Sequence, residues 1–451
     1  MARDMTKDMT NGNPLKLIIS FAGPVMLGML FQQLYSMVDS IIVGKYVGLD
    51  ALAAVGSTGS INFMIIGFAV GVCSGFSIPV ANKFGAKDFA GLKKIVGNSV
   101  ILSAIISVLI AVITVIFCRD MLELMNTPDN IIDGAYNYIA IIFAGTPIIF
   151  LYNMTSGIIR AIGDSKTPVY FLLLSSVLNV GLDMLFIAGF GMEEEGAAIA
   201  TIISQLIAGV LCVIYMSKKF EILKLSKSDY KLEGQLVNNL CVSGIPMGLQ
   251  FSITAIGSVI LQTSVNGLGS NVVAAITAAS KVSMFVASPI DALGVTIATF
   301  AGQNIGANKL DRISKGVLSA TIAGMAYSIM VLGIVWLFGK GFLTLFIKPE
   351  EMQALSDANI YLLINVLCYA MLVIVNVFRN AIQGMGASTF AMGAGVFEMV
   401  ARILCAYLMI PTLGFYGACL SNGIAWIFAD VFLIPAFIHV KRRLDKLFQK
   451  I

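Results

Sequence analysis

The sequence has little of what enzymes and soluble domains depend on. Only 12% of its 451 residues are charged, against roughly 25% in a soluble domain. It has one histidine, His439, so neither a Ser-His-Asp arrangement nor a histidine-rich metal centre can be built. The nearest approach to a phosphate-binding loop, Gly333 to Lys340, has the wrong glycine spacing. The sequence therefore predicts a protein that is not an enzyme and uses no cofactor or metal.

Neither the cysteines nor the net charge indicate a catalytic or nucleic-acid-binding role. Seven cysteines lie in or beside apolar runs and form no close pairs. This spacing predicts small packing residues rather than a disulfide framework. The formal net charge of +4 does not indicate nucleic-acid binding, because the basic residues fall between apolar runs instead of on one face. No obligate protein partner is evident either.

Apolar sequence is what the chain has in abundance. Hydrophobic residues make up 58% of it, and its mean hydropathy is +0.90. A helix needs about 20 apolar residues to cross a bilayer, and about twelve segments reach that length. The predicted spans are 15–45, 51–82, 94–117, 131–156, 168–190, 196–217, 236–266, 271–302, 315–338, 357–380, 388–411 and 416–440. We predict an all-α polytopic protein of the plasma (bacterial inner) membrane.

The distribution of lysine and arginine predicts the orientation. With the N-terminus in the cytoplasm, most basic residues at or beyond the span ends fall on the cytoplasmic side, and Arg379 at the end of span ten is counted among them. Only Lys45, Arg119, Lys340 and Lys348 fall on the opposite side. The positive-inside rule therefore predicts that both termini are cytoplasmic.

The chain contains an internal repeat. Gly196-Ala197 recurs in the second half as Gly417-Ala418, and four similar pairs recur at nearly the same offset. The repeat predicts two six-helix lobes, 1–217 and 236–451, joined by a cytoplasmic linker, 218–235. Since six is even, the lobes have the same orientation and are related by a pseudo-two-fold axis along the membrane normal.

Two predicted spans of the first lobe carry buried acids. In span one, Gln32, Tyr35 and Asp39 follow helical spacing and share one face. In span five, Ser176, Asn179 and Asp183 repeat this pattern, and Thr201 returns from the same side in span six. An ionisable residue within a span is costly, so it marks a transport pathway, a proton relay or a structural ion pair.

This set of side chains suits two kinds of chemistry. Oxygen ligands alone, from Asp39, Asn179, Asp183 and Thr201, suit a hard cation such as sodium. Two close carboxylates in a low dielectric also favour one shared proton, which would make a proton carrier. The structural alternative is a pair of acids held by hydrogen bonds. We expect Gln32, Tyr35, Asn153 and Ser176 to bind substrate beside the cation site.

The second lobe lacks these acids at the equivalent positions. Span eleven instead carries Glu398 and Arg402, spaced as i and i+4, which predicts an ion pair. A gate or a substrate contact is the alternative for this pair. Lys281 and Asp291 in span eight favour no particular role.

Several motifs together identify a family. They are Gly23-Pro24, Val38-Asp39-Ser40-Ile41-Ile42-Val43-Gly44, Arg160-Ala161-Ile162-Gly163-Asp164-Ser165-Lys166-Thr167-Pro168, Gly196-Ala197-Ala198-Ile199-Ala200-Thr201 and Gly302-Gln303-Asn304-Ile305-Gly306-Ala307. Over nearly its whole length the chain resembles the MATE (multidrug and toxic compound extrusion) family. The resemblance implies a V-shaped pair of six-helix bundles that exports organic cations or amphipathic compounds against inward proton or sodium flow.

The resemblance also bears on the site. Asp39, Asn179, Asp183 and Thr201 look like the first-lobe cation site of the DinF-like branch. NorM-like proteins also use acids from spans seven and ten, where this chain has Gln250 and Asn376. Two alternatives remain on the same fold: a flippase for a lipid-linked precursor, and a non-transporting receptor or scaffold.

Overall fold

The chain folds into long α-helices connected by short turns. The structure, a computed structural model, describes residues 7–125, 127–347 and 350–448. No strand occurs within these three ranges. Both chain termini, predicted to be cytoplasmic, and Lys348, predicted to face the other side, lie outside the described residues.

Helices α1 to α9 precede the linker. They are α1 (Pro14–Tyr46), α2 (Leu49–Ser57), α3 (Gly59–Gly85), α4 (Phe89–Ile116), α5 (Cys118–Leu124), α6 (Ile132–Ala144), α7 (Thr146–Ala161), α8 (Thr167–Asp183), which continues as a π-helical segment (Met184–Gly189), and α9 (Glu194–Lys219).

Helices α10 to α17 follow the linker. They are α10 (Gly234–Asn266), α11 (Ser270–Gly306), α12 (Leu310–Leu343), α13 (Met352–Leu367), α14 (Tyr369–Gly384), α15 (Ser388–Leu404), which continues as a π-helical segment (Cys405–Met409), α16 (Ile410–Leu413) and α17 (Phe415–Phe448).

The described helices include ten that are long and apolar enough to cross a membrane, or up to twelve if each of two bent pairs is one span. The bends lie between α6 and α7 (47°) and between α13 and α14 (48°). Pro147 in the first turn of α7 contributes to the first bend, because it lacks the N–H that would continue the helix. The chain is therefore an all-α membrane protein with the twelve-span fold that the sequence predicts.

The two halves share unusual backbone features in the register of the repeat. Left-handed φ angles occur at Gly48 and Gly269, and again at Lys87 and Asn308. Both pairs have the same separation along the chain as Gly196 and Gly417. The two bends and the two π-helical segments follow this register closely. A positive φ is uncommon at a residue with a side chain, so these coincidences support the internal repeat independently of residue identity.

The chain forms two compact units that differ from the two halves of the repeat. Unit 1 contains the described residues up to Asp8 and Leu27–Gly248, and unit 2 contains Met9–Met26 and the described residues from Leu249 onward. The first part of α1 thus belongs to unit 2, and the first part of α10 belongs to unit 1. The sequence boundaries at 217 and 236 remain a prediction about the repeat.

In unit 1, α3 and α10 cross with their backbones in contact. A Cβ added at Gly75 would lie 2.4 Å from the Cα of Gly244, and one added at Gly71 would lie 2.6 Å from the Met247 carbonyl oxygen. No side chain fits at such a crossing. The i, i+4 spacing of these glycines permits this packing along one helix face.

The linker packs along α4, also within unit 1. The Asn98 side chain donates to the Lys231 carbonyl at 3.1 Å and accepts from the Glu233 amide at 3.1 Å. Lys94 forms an ion pair with Glu233 at 2.8 Å. A capping box closes the short turn before these contacts, because the Asp229 carboxylate accepts from the Ser226 amide and hydroxyl at 2.7 and 2.6 Å. The linker is therefore an ordered part of unit 1.

Candidate functional site

Two buried carboxyl groups lie together in unit 1. Asp39 is on α1 and Asp183 is the last residue of α8, and they are 8% and 0% exposed. Their carboxyl groups are within hydrogen-bonding range of each other. Among the described residues no N–H or O–H donor reaches Oδ1 of Asp39 or either oxygen of Asp183. We call these two residues the acid pair.

The acid pair has no cation beside it within the described ranges. Of the ion pairs formed by described residues, none includes Asp39 or Asp183. Burying a charge without a counter-charge costs several kcal/mol, which is why such a group takes up a proton or binds a cation. The acid pair therefore has the chemistry to take up a proton or to bind a cation from solution, and this role remains a prediction.

Neutral oxygen atoms complete the surroundings of the acid pair. Asn179, one helical turn before Asp183 on α8, is 1% exposed. Its Nδ2 donates to Thr201 Oγ1 on α9 at 3.4 Å, while its Oδ1 is buried and has no partner among the described residues. An unpaired carbonyl oxygen beside two carboxylates can accept a proton-bearing group or coordinate a hard cation.

Tyr35 connects the acid pair with two glutamines. Its hydroxyl is in hydrogen-bonding range of Gln32 and Gln205, and it lies close enough to both acids for their charges to act on it. Tyr138 on α6 is also within electrostatic range of both acids. The sequence analysis did not identify Gln205 or Tyr138. Gln205 lies one turn after Thr201 on α9, which is the one signal that could have indicated it.

The acid pair lies where α8 changes its helical form. Asp183 ends the α-helix, and the following residues, Met184–Gly189, are π-helical. Such short π-helical segments occur frequently at functional sites. The transition gives the residues after Asp183 a different rotation about the helix axis from the residues before it.

Two of the predicted substrate residues have no hydrogen bond to the acid pair in this structure. The Asn153 side chain donates to the Ile149 carbonyl of its own helix at 2.9 Å. The Ser176 hydroxyl donates to the Leu172 carbonyl of its own helix at 2.9 Å. Of the four, Tyr35 is the one on which the charges of both acids act, and Gln32 is in hydrogen-bonding range of Tyr35. All four substrate-binding roles remain predictions.

A second buried charge cluster lies in unit 2, and it is compensated. Glu398 on α15 accepts a hydrogen bond from Arg379 Nη2 on α14, and its Oε2 lies 3.8 Å from Arg402 Nη2. Arg402 also donates to the Thr254 carbonyl at 3.3 Å. We call Arg379, Glu398 and Arg402 the arginine–glutamate cluster.

Arg379 was missed because it follows an apolar run. The predicted span ten ends at residue 380, which places Arg379 with the cytoplasmic residues. In the structure α14 continues to Gly384, and the Arg379 side chain is only 11% exposed. The predicted pair of Glu398 with Arg402 is present in the structure. The closer partner of Glu398, however, is Arg379.

Two further acids interact with the arginine–glutamate cluster. Asp291, an exposed residue of α11, is in hydrogen-bonding range of Asn376 and interacts electrostatically with Arg379. Asp430 on α17 is 7% exposed and also interacts with Arg379. Lys281 is exposed on α11 and belongs to none of the ion pairs formed by described residues. Neither acid belongs to an ion pair formed by described residues, but the charge of Arg379 acts on both.

With this geometry known, three comparisons place the chain among known proteins. The MatE family model matches it twice, over residues 24–185 and 246–408. The probable multidrug resistance protein YoeA of Bacillus subtilis (strain 168) is 30% identical over 446 residues, covering 95% of this chain and 95% of that protein. The probable multidrug resistance protein YpnP of the same strain is 29% identical over 439 residues, covering 96% of each.

The fold also matches a solved structure. The outward-facing conformation of a multidrug resistance MATE family transporter of the MOP superfamily aligns with a TM-score of 0.90 at 24% identity, over 99% of each chain. The chain thus belongs to the MATE family. It is an integral membrane transporter and not an enzyme. Its assignment to the DinF-like branch remains a prediction.

Proposed function

We propose that this protein is a secondary-active multidrug exporter that moves organic cations or amphipathic compounds out of the cell in exchange for inward protons or sodium ions. The observation that carries the proposal is the uncompensated acid pair, buried in unit 1 with no donor from the described residues reaching three of its four carboxylate oxygens. The names of two relatives, both probable multidrug resistance proteins, support the substrate class.

The proposed cycle follows from the charge of the acid pair. A site with up to two negative charges in a low dielectric attracts either a coupling cation or a cationic substrate. In the outward-open state a proton or sodium ion binds at Asp39 and Asp183, with Asn179 and Thr201 completing its shell. The site then no longer attracts a cationic substrate, which leaves outward, and alternating access carries the coupling ion inward.

The substrate is held by side chains near the acid pair in this proposal. Gln32, Tyr35, Asn153 and Ser176 supply hydrogen bonds, and neighbouring methionine and phenylalanine side chains supply adaptable apolar contacts. A wall of this kind accepts compounds of different shapes, because its polar contacts are few and its apolar contacts adjust.

The alternatives differ in the charge they require. A flippase for a lipid-linked diphosphate needs positive charge that is free to bind phosphate. In unit 2, Arg379 and Arg402 already flank Glu398, which favours the antiporter. A receptor or scaffold would tolerate loss of the acid pair, so substitution of these acids separates it from both transporters.

The test is efflux of a fluorescent cation such as ethidium from proteoliposomes, with proton and sodium gradients imposed separately. Asp39→Asn and Asp183→Asn should insert and fold normally but abolish gradient-driven efflux, because neither can carry the coupling charge. Asp50→Asn, which changes an exposed acid of the same unit, is the matched control and should transport normally. Wild-type efflux with unchanged ion dependence in Asp39→Asn would refute the proposal.

A further inference from the structure

Unit 2 contains a cavity that the proposed transport cycle does not use. It lies among α11, α13, α14 and α17 and has a volume of about 180 Å³. An internal cavity of about 150 Å³ accommodates a benzene molecule, whereas sites for whole drugs have about 300–1,000 Å³. The space therefore suits a group of one or two rings.

The walls of the cavity are aromatic and polar but carry no charge. The rings of Tyr369 and Trp426 meet edge to face with centroids 6.1 Å apart, and Tyr361 and Asn365 add a phenol and an amide. Ser280, Ser283, Met284, Ala287, Leu372 and Asn422 complete the lining, so none of the described lysine, arginine, aspartate or glutamate side chains borders it. A cation or anion would gain no counter-charge from these walls.

A hydrogen-bond network fixes the polar side chains of the cavity. Asn422 Nδ2 donates to the Tyr361 hydroxyl at 3.2 Å and to Asn365 Oδ1 at 2.9 Å. Ser283 and the Tyr369 hydroxyl are 2.7 Å apart. Both of these Asn422 bonds use its Nδ2, which leaves its Oδ1 to accept a hydrogen bond from a ligand.

The repeat shows that this cavity is the counterpart of the acidic site. Asn422 and Trp426 are the repeat equivalents of Thr201 and Gln205, at the same offset as Gly417 from Gly196, and Tyr361 is the near equivalent of Tyr138. In unit 1 these positions surround the acid pair.

The repeat also explains why the second cavity is neutral. In unit 2 the position that matches Asp39 is Leu261, which cannot carry charge. The same place in the repeat thus carries two acids in unit 1 and an uncharged cavity in unit 2. We call the cavity of unit 2 the neutral chamber.

We propose that the neutral chamber is a second small-molecule site, which binds an uncharged planar aromatic group carrying both a hydrogen-bond donor and an acceptor. Trp426, which is 9% exposed, supplies aromatic surface for a flat ring system, and the fully buried Tyr369 holds its ring in place edge to face. Asn422, which is half-buried, and Tyr361, which is buried, supply complementary polar atoms. A ligand lacking such groups would leave these atoms without partners. The inference concerns binding and does not depend on ion coupling.

The test uses the two tryptophans of the chain. Trp336 is 73% exposed on α12, so Trp336→Phe in the full-length protein leaves Trp426 as the sole reporter. The probes are 2-quinolone, which is neutral with an N–H and a C=O, and two bicyclic controls: naphthalene, which is apolar, and N-methylquinolinium, which is cationic. We expect 2-quinolone to quench Trp426 saturably with a Kd about tenfold lower than either control.

Variants locate the binding. Asn422→Leu should weaken 2-quinolone binding by about tenfold, and Ala287→Phe should abolish it by filling the cavity, which keeps the test valid if Asn422→Leu folds poorly. Asp39→Asn should leave 2-quinolone binding unchanged, even if it abolishes efflux. Equal affinity for the three probes, full binding by Ala287→Phe, or loss of binding in Asp39→Asn would each overturn the proposal.

Discussion

The two units treat buried charge in opposite ways. In unit 1 the acid pair has neither a cation nor, at three of its carboxylate oxygens, a donor among the described residues. In unit 2, Glu398 is flanked by Arg379 and Arg402, and Asp430 interacts with Arg379. A charge that the protein compensates stabilises the fold, whereas a charge that it leaves open must be compensated from solution. The comparison therefore favours ion binding in unit 1 and structural ion pairing in unit 2.

The largest expected effect is the loss of stability when Glu398 is replaced. Glu398→Gln leaves two buried guanidinium groups facing each other, and breaking a buried pair costs about 3–5 kcal/mol. We expect a large drop in the thermal unfolding midpoint of the purified protein in detergent. Glu351→Gln, which changes an exposed glutamate of the same half, is the control. If both variants unfold at the same temperature, the arginine–glutamate cluster is not structural.

A smaller effect distinguishes the two arginines. Adding Arg379→Gln or Arg402→Gln to Glu398→Gln removes one uncompensated charge and should restore part of the lost stability. Arg379 contacts Glu398 more closely than Arg402, which lies 3.8 Å away, so its double variant should recover more, by about 1–3 kcal/mol. Greater recovery with Arg402→Gln would make the pair predicted from helical spacing the dominant one.

For unit 1 the comparison predicts that removing a buried acid does not lower the stability and can raise it. Asp183→Asn removes a charge that has no counter-charge among the described residues, and it also removes repulsion from Asp39. Its stability should therefore lie within about 1 kcal/mol of the wild type or above it, measured by the same thermal unfolding. A drop as large as that of Glu398→Gln would show that the acid pair is structural after all.

The smallest effect concerns a charge outside the membrane spans. Hydrogen bonds from the side chain and the amide of Ser226 lower the pKa of Asp229. A lowered pKa stabilises the folded linker above the ordinary aspartate value of about 3.9, and this stabilisation is lost as pH falls through the lower folded pKa. Amide hydrogen exchange over residues 227–230, corrected for intrinsic rates, should thus show protection at neutral pH that weakens as the carboxyl group is protonated in acid.

Two serine variants show whether the hydroxyl of the capping box is responsible for this protection. Ser226→Ala should reduce the protection at neutral pH, while Ser217→Ala, whose hydroxyl bonds within α9, should not. Unchanged protection in Ser226→Ala would mean that packing against α4, and not the capping box, orders the linker.

The sequence predicts the membrane spans and the faces of the helices better than it predicts their partners. Hydropathy indicates the twelve-span fold, because it depends only on the local composition of the chain. Helical spacing places Gln32, Tyr35 and Asp39 on one face, because it depends only on positions within one helix. Helical spacing also pairs Glu398 with Arg402, but Arg379 comes from another helix. Periodicity within one helix cannot reveal which other helix packs against it.

The irregular parts of the helices were also beyond prediction. The break at Cys368 has no proline to indicate it, and the π-helical segment after Asp183 depends on how α8 and α9 pack. Both features shift side chains around a helix axis, so counting residues from the span ends could place Asp183 in depth but not in direction. Tyr138 could not be predicted because it lies on another helix, α6, whereas Gln205 could have been indicated by its spacing from Thr201 on α9.

The exchange of helix ends between the units means that neither half of the repeat is a complete unit by itself. In unit 1, α3 packs through bare glycine backbone against the first part of α10, a helix that the repeat assigns to the other half. Unit 2 likewise contains the first part of α1. A single ancestral half could complete such a unit only by lending its first helix to a second copy, as a domain-swapped dimer does. In this chain both halves are present together, so each can supply the helix end that the other lacks, and the linker keeps them in one molecule.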